Sequence, residues 1–361
     1  MYRRAMDGTC LGELVDLAIP LCQAAATRLH CECPRTGPGR EPAYEDWQIA
    51  ALIMICVLKK KKTKSSQYRF LTQNQQAVCQ TLKLKRLPAR STYFTRYSTA
   101  HRLFQIAIEL QGRKALAEGV TRANVTAADK SLVAARGPKA LPAKPRYPHG
   151  IKRRLAVDSQ AGWSYSRHDG WVWGYSYEVL ISATPGRVIM PLLASAQPAN
   201  VNEHRTFGSK IERLPRSTKH VLADAGYDNN SFGEQIEYSS RGRRTGRHFV
   251  SPLQARAGKP AVGRYIHRGV REQQRLHRLA RQRFNQSRQG RRLYARRFKT
   301  IEPFNQWFKQ LFELEQHVWH RGLGNNQTQF LAALFCYQLA IRYAHRHGQR
   351  HGQIQWVFDG L

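Results

Sequence analysis

Near Val120 the spacing of the apolar residues changes, and that change limits the folds open to the chain. Before it, apolar residues recur with the three-to-four-residue period of amphipathic helices. "LGELVDLAIPLCQAAATRL" has that spacing, interrupted by Pro20, and a Gly/Pro-rich loop "CPRTGPGREP" follows it. Asp46 is placed to cap "WQIAALIMICVLKKK", a buried helix whose basic end suits the helix dipole. Two or three further helices follow, the last capped by Ser91 or Thr92 after Pro88. Short helices bearing Arg and Tyr resemble a helix-turn-helix array, a common way of placing a helix in a DNA groove.

After Val120 the segments read as strands. "ANVTAADKSLVAA" alternates, "KRRLAVDSQAGWSYSR" is ambiguous, and "GWVWGYSYEVLISAT" is long, aromatic and β-branched. Pro185-Gly186 then turns the chain into "RVIMPLLASAQ". A helix over "NEHRTFGSKIERL", a strand "KHVLAD", a short helix, a strand "RHFVSPL" and a run of helices complete the chain. This order predicts an α/β fold: a ribonuclease-H-like mixed sheet flanked by helices, with an N-terminal all-helical DNA-binding region. The expected boundaries are a helical region over 1–118, a catalytic domain over 119–347 and a tail over 348–361. Within the catalytic domain, 228–299 is expected to be basic and mostly helical.

Charge narrows the partner. With 59 Lys and Arg against 24 Asp and Glu, the formal net charge is +35. Self-repulsion on that scale calls for a polyanion, and nucleic acid is the obvious one. Ribosomal and nucleoid proteins of this charge are usually shorter and poorer in aromatics than a chain with seven Trp, fifteen Tyr and fourteen Phe. A membrane partner is not expected, because the charge is spread along the chain rather than set on one amphipathic helix. The N-terminus carries acids where a secretory leader should be apolar, and the apolar run Ile49–Leu58 is too short to span a bilayer. Seven scattered cysteines fit reduced thiols, hence a cytoplasmic, nucleoid-associated location. "HCEC" (His30 to Cys33) lacks a second pair at zinc-finger spacing.

In so basic a chain each carboxylate can be weighed singly. Asp224 ends the apolar run of "KHVLADAGYDNN". It stands either at the ligand-binding mouth of a sheet or as the cap of the next helix. Asp129 in "VTAADKSL" and Asp158 in "LAVDSQ" have similar surroundings and compete for one role. Glu302 opens the helix "IEPFNQWFKQL", with Thr300 as its cap and Lys309 seven positions on along the same face. A first-turn Glu meeting the helix dipole is the simpler account of Glu302 taken alone.

Together these segments resemble the DDE transposases of bacterial insertion sequences, in the supergroup of insertion sequences 4 and 5. "AADKSLVAARG" looks like the first-Asp motif, "HVLADAGYDN" like the second-Asp motif, and "IEPFNQWFKQL" like the third-acid motif. "SRHDGWVWGYSYEVLISATPGRVIMPL" looks like the strand and hairpin between the first two acids. The resemblance runs from about Val120 to His347 and implies Asp129, Asp224 and Glu302 as catalytic metal ligands. It implies Mg²⁺, replaceable by Mn²⁺, and cleavage at terminal inverted repeats followed by strand transfer into target double-stranded DNA by a homodimer. Tyr294, Arg297, Lys309 and Tyr227 are the implied DNA-contacting residues. In one respect the chain departs from the pattern: Glu302 follows Tyr294 and Arg297 one residue late. A helix starting at Thr300 would absorb the slip. Trp307 is expected in the core. The alternatives are an inactive transposase-derived DNA-binding protein and a ribonuclease-H-like nuclease.

Overall fold

The structure is a computed structural model that describes residues 9–34, 42–139, 157–166, 169–252, 272–349 and 352–361. Most of the Gly/Pro-rich loop and the start of the basic stretch before the last helices lie outside the described residues.

Six helices come first: α1 (Thr9–Glu32), α2 (Asp46–Leu58), α3 (Lys64–Gln73), α4 (Gln75–Thr81), α5 (Arg90–Tyr97) and α6 (His101–Ala117). Pro20 lies within α1 and does not end it. A proline forfeits a backbone hydrogen bond, but buried Leu14, Val15, Leu17, Leu21 and Cys22 hold both halves in one element. By length and composition α1 could cross a membrane; half of its apolar stretch is buried against protein. The cap of α2 is Glu45, which forms a capping box with Gln48. Asp46, expected to cap, instead pairs with Arg96 and His30. Ala89 precedes α5, so Ser91 and Thr92 sit inside that helix rather than capping it.

The sheet contains β1 (Val125–Ala134), β2 (Gly162–Ser166), β3 (Gly170–Ser182), β4 (Pro191–Pro198), β5 (His220–Leu222) and β6 (His248–Val250). Strand β3 runs antiparallel to both β1 and β4. Strands β1, β5 and β6 run parallel. Setting β2 aside, the order β4-β3-β1-β5-β6 is that of a ribonuclease-H-like sheet, as expected. Strand β2 pairs only with the start of β3, and this ribbon carries the cross-strand pairs Trp163–Trp173 and Tyr165–Trp171.

Helices cover the sheet: α7 (Glu203–Ile211), α8 (Asn230–Glu237), α9 (Glu272–Gln286), α10 (Arg288–Phe298), α11 (Ile301–Leu311), α12 (Leu323–Arg346) and α13 (Gln355–Asp359). Helix α12 is buried along nearly its whole length and acts as the spine. Phe335 packs on Phe104 of α6, with ring centroids 6.0 Å apart. Gln338 donates to Ile108 O on α6 at 2.9 Å and to Pro191 O on β4 at 2.8 Å. One hydrophobic core therefore runs from the N-terminal helices through α12 to the sheet. A second, smaller one lies under α7 and α8. Helix α13 closes on the larger core through Val357 and Phe358.

Two predictions follow from this core. A fragment lacking residues 1–118 uncovers one face of α12 and β4, and should show no cooperative thermal transition by circular dichroism. His320 is buried, with its Nε2 2.9 Å from the Tyr97 hydroxyl. Burial, aided by Lys64 and Arg136, lowers its pKa from 6.5 to about 3. The unfolded chain gains this proton at a higher pH than the folded chain, so stability is full above about pH 6.5. It falls below that by up to ~1.4 kcal/mol per pH unit. A His320→Gln variant should show a flatter Tm between about pH 7 and pH 5.

Candidate active site

The parallel pairing of β1 with β5 brings two acids together. Ala127 stands opposite Leu222. Carried two residues on, that register places Asp129 beside Asp224, on neighbouring strands ~4.8 Å apart and on the same face. Asp224 sits just past the end of β5 and precedes a turn of 3₁₀ helix, Ala225–Tyr227. Its Oδ1 accepts the Gly226 N–H at 2.9 Å. A Cβ at residue 226 would come 3.1 Å from that oxygen, which accounts for the glycine in this turn. Asp224 is therefore both an acid at the sheet mouth and a cap.

The third acid arrives on α11. Phe304 and Phe308 are buried on its inner face, and Phe308 meets Tyr177 of β3 edge-on at 5.1 Å. The Tyr177 hydroxyl donates to Asn305 Oδ1 at 3.1 Å, and Asn305 Nδ2 donates to Asp129 Oδ2 at 2.8 Å. This anchoring leaves Glu302 in the first turn, over the site, with its side chain 53% exposed against 13% for Asp129. Thr300 does not cap α11: its hydroxyl donates back to Arg296 O at 2.9 Å, closing the end of α10. The one-residue slip falls at this break, Lys299–Thr300, between two helices.

Arg297, in the last turn of α10, joins the acids. Its Nη2 donates to Asp129 Oδ1 at 2.7 Å, and its Nη1 lies 3.5 Å from Glu302 Oε1. Burial pushes the Asp129 carboxyl up to about 6, opposed by Arg297 and reinforced by Asp224. Burial also raises Asp224, with Arg297 again opposing and Glu203 adding repulsion. For Arg297 itself burial works against the charge, but Asp129 and Asp224 outweigh it and hold the guanidinium above its ordinary value. Tyr294, one turn earlier, is half-buried and packs on Phe298 at 5.5 Å. Burial raises its hydroxyl, and the three acids act on it electrostatically. Lys309 donates to Leu132 O at 2.8 Å, further along β1.

Other expected residues lie elsewhere. Asp158 is buried away from the cluster, where its Oδ2 accepts Tyr175 OH at 2.7 Å and Gly322 N at 2.9 Å. Its partners lie on β3 and just before α12. Tyr227 is also buried, and its hydroxyl donates to Glu178 at 2.7 Å, so it offers DNA no surface. Trp307 is 49% exposed, on the side of α11 away from the core rather than inside it. The sequence reading missed Asn305 and Glu203, and also Glu178, which pairs with buried Lys210. No motif flags them, because each matters only through a partner distant in the chain.

Among the described residues no group of three His, Cys, Asp or Glu side chains stands close enough to hold a metal ion. "HCEC" gives none: Cys31 and Cys33 are exposed, and His30 pairs with Asp46. Asp129, Asp224 and Glu302 nevertheless fit a hard divalent cation in kind. They are all oxygen donors, and the Arg297 guanidinium bridges Asp129 and Glu302.

Residues 121–339 match the family model described as a transposase DDE domain. No curated protein matches the chain. A solved structure, described as a cryo-EM structure of a piggyBac transposase synaptic complex with hairpin DNA, is similar at a TM-score of 0.40 and 8% identity. That similarity covers 99% of this chain and 80% of the other.

Removing Glu178 strands the buried Lys210 charge. Glu178→Ala should cost about 3–5 kcal/mol of stability by chemical denaturation.

Proposed function

This chain belongs to the transposase DDE-domain family, and on that premise we propose that it cuts DNA at the ends of an insertion sequence and joins them to target DNA. The observation that carries this reading is the family match over residues 121–339, supported by Arg297 linking Asp129 to Glu302. The finer placement in the supergroup of insertion sequences 4 and 5 rests on the motif residues alone.

Asp129, Asp224 and Glu302 would hold Mg²⁺, or Mn²⁺ in its place. When bound, such ions activate the attacking water or 3′-hydroxyl and stabilise the leaving oxygen. The chain's own residues do the rest. The sheet fixes Asp129 and Asp224, and Asn305 orients Asp129 through its hydrogen bond. Arg297 and Lys309 supply positive charge for the phosphates beside the scissile bond, and Tyr294 borders the same face. The helices of residues 1–118 recognise the terminal inverted repeats, two copies of the chain synapse two ends, and the reaction runs at the cytoplasmic nucleoid. The net charge of +35 supports DNA as the substrate.

Asp224→Asn should lower metal-dependent cleavage of end-containing DNA by about 10²-fold or more, with DNA binding kept or improved by the loss of a negative charge. Binding without cleavage by the wild-type chain would instead identify an inactive remnant. In gel-shift titrations across a salt series, Lys309→Ala should reduce the log–log salt slope by about 1.

A further inference from the structure

We propose that Tyr165 and Trp171, the exposed aromatic pair on the β2–β3 ribbon, form a stacking platform for unpaired bases of a DNA strand. This inference rests on reading the chain as one that acts on DNA.

The ribbon holds four rings in two cross-strand pairs. The inner pair, Trp163 and Trp173, is partly buried, with ring centroids 5.6 Å apart. It backs the outer pair, Tyr165 and Trp171, which meet edge-on at 5.5 Å. The outer rings are left in the open: Tyr165 is 60% exposed and Trp171 66%. No other large apolar side chain among the described residues is as exposed. Two rings fixed by the strand pairing lose little freedom when a flat partner lies on them, and they gain by leaving water.

Position and charge select the partner. Alternate residues of a strand share a face, so Trp171 and Trp173 stand on the side of β3 that carries Tyr175, Tyr177 and Val179. Val179 pairs with Asp129 of β1. The platform therefore continues the face that holds Asp129, ~26 Å further along β3. Lys309 lies between the two, on Leu132 O at 2.8 Å. Burial lowers its pKa, and the charges of Asp169, at the turn of the ribbon, and of Asp129 both oppose that shift. Strand β1 ends beside the inner pair, where Ala135 N donates to Trp173 O at 2.8 Å. From Arg136 to Arg154, on the way to β2, the sequence holds seven Lys and Arg and no acid. A second copy of the chain would bring more positive charge to this face, whereas nucleic acid brings the opposite charge. Duplex DNA keeps its base faces within its own stack. An unpaired strand offers them, and exposed rings accept any base because each has a π-face.

The test is fluorescence anisotropy on the full chain across a salt series, with a labelled thymidine oligonucleotide and a blunt duplex of the same length. Trp171→Ala and Tyr165→Ala should each weaken single-strand binding by about tenfold. Neither should change the log–log salt slope, because no phosphate contact is lost, and both should bind the duplex as the wild type does. Trp171→Phe, which keeps a ring, should retain most of the single-strand affinity. Single-strand binding by both alanine variants equal to that of the wild type would overturn the proposal. So would an equal loss for the duplex. A fall in molar mass from the wild type to Trp171→Ala by light scattering would assign the face to a second copy and overturn it too. If the wild type binds neither DNA, the reading of the chain as a DNA-acting protein has itself failed, and this inference with it.

Discussion

Burying a carboxylate against a sheet is costly unless a positive group comes with it. Asp129 lies in β1 and Asp224 just past the end of β5, and the charge of Asp224 adds to the cost at Asp129. Arg297 supplies that positive group by pairing with Asp129. For the guanidinium to reach Asp129, α10 must end over the sheet. For Glu302 to join them, α11 must start one short break later. Tyr177, Phe308 and Asn305 fix where α11 lies, and Asn305 binds the second oxygen of Asp129. The packing of two helices thus follows from the need to neutralise one buried pair.

The remaining acids show how unusual this cluster is. Among the described residues, three buried glutamates are each paired with the chain's own cations. Glu109 faces Arg28, Arg113 and Arg213, Glu237 faces Arg281, and Glu178 faces Lys210. In a protein with net charge +35 that pairing is expected. Arg297 is shared by two acids, Asp129 and Glu302. Elsewhere the acids neutralise the protein's own basic residues. Here the charge of Asp224 also acts on the shared guanidinium.

What the sequence revealed depended on how local the signal was. The change of period at Val120, the apolar run ending in Asp224 and the opening of α11 at Glu302 are short-range patterns, and the sheet order followed from them. Caps were misassigned where a neighbouring side chain did the work: Glu45 for Asp46, and Ala89 ahead of Ser91. Thr300 bonds backwards because α10 ends within reach of its hydroxyl. Asp129 and Asp158 could not be told apart by texture, since the difference lies in distant partners: Asp129 meets Arg297 and Asn305, and Asp158 meets Tyr175 and Gly322. Tyr227 was misjudged because the partner that buries it, Glu178, is far away in the chain. The N-terminal helices looked like a separate unit in sequence, but their apolar faces are completed by α12, more than two hundred residues later.

The central claim is that Asp129, Asp224 and Glu302 form one metal site. The most direct measurement is an anomalous difference map from crystals of the full chain with a DNA duplex, soaked in Mn²⁺. The account predicts manganese density bounded by these three carboxylates. Manganese bound only elsewhere would contradict it.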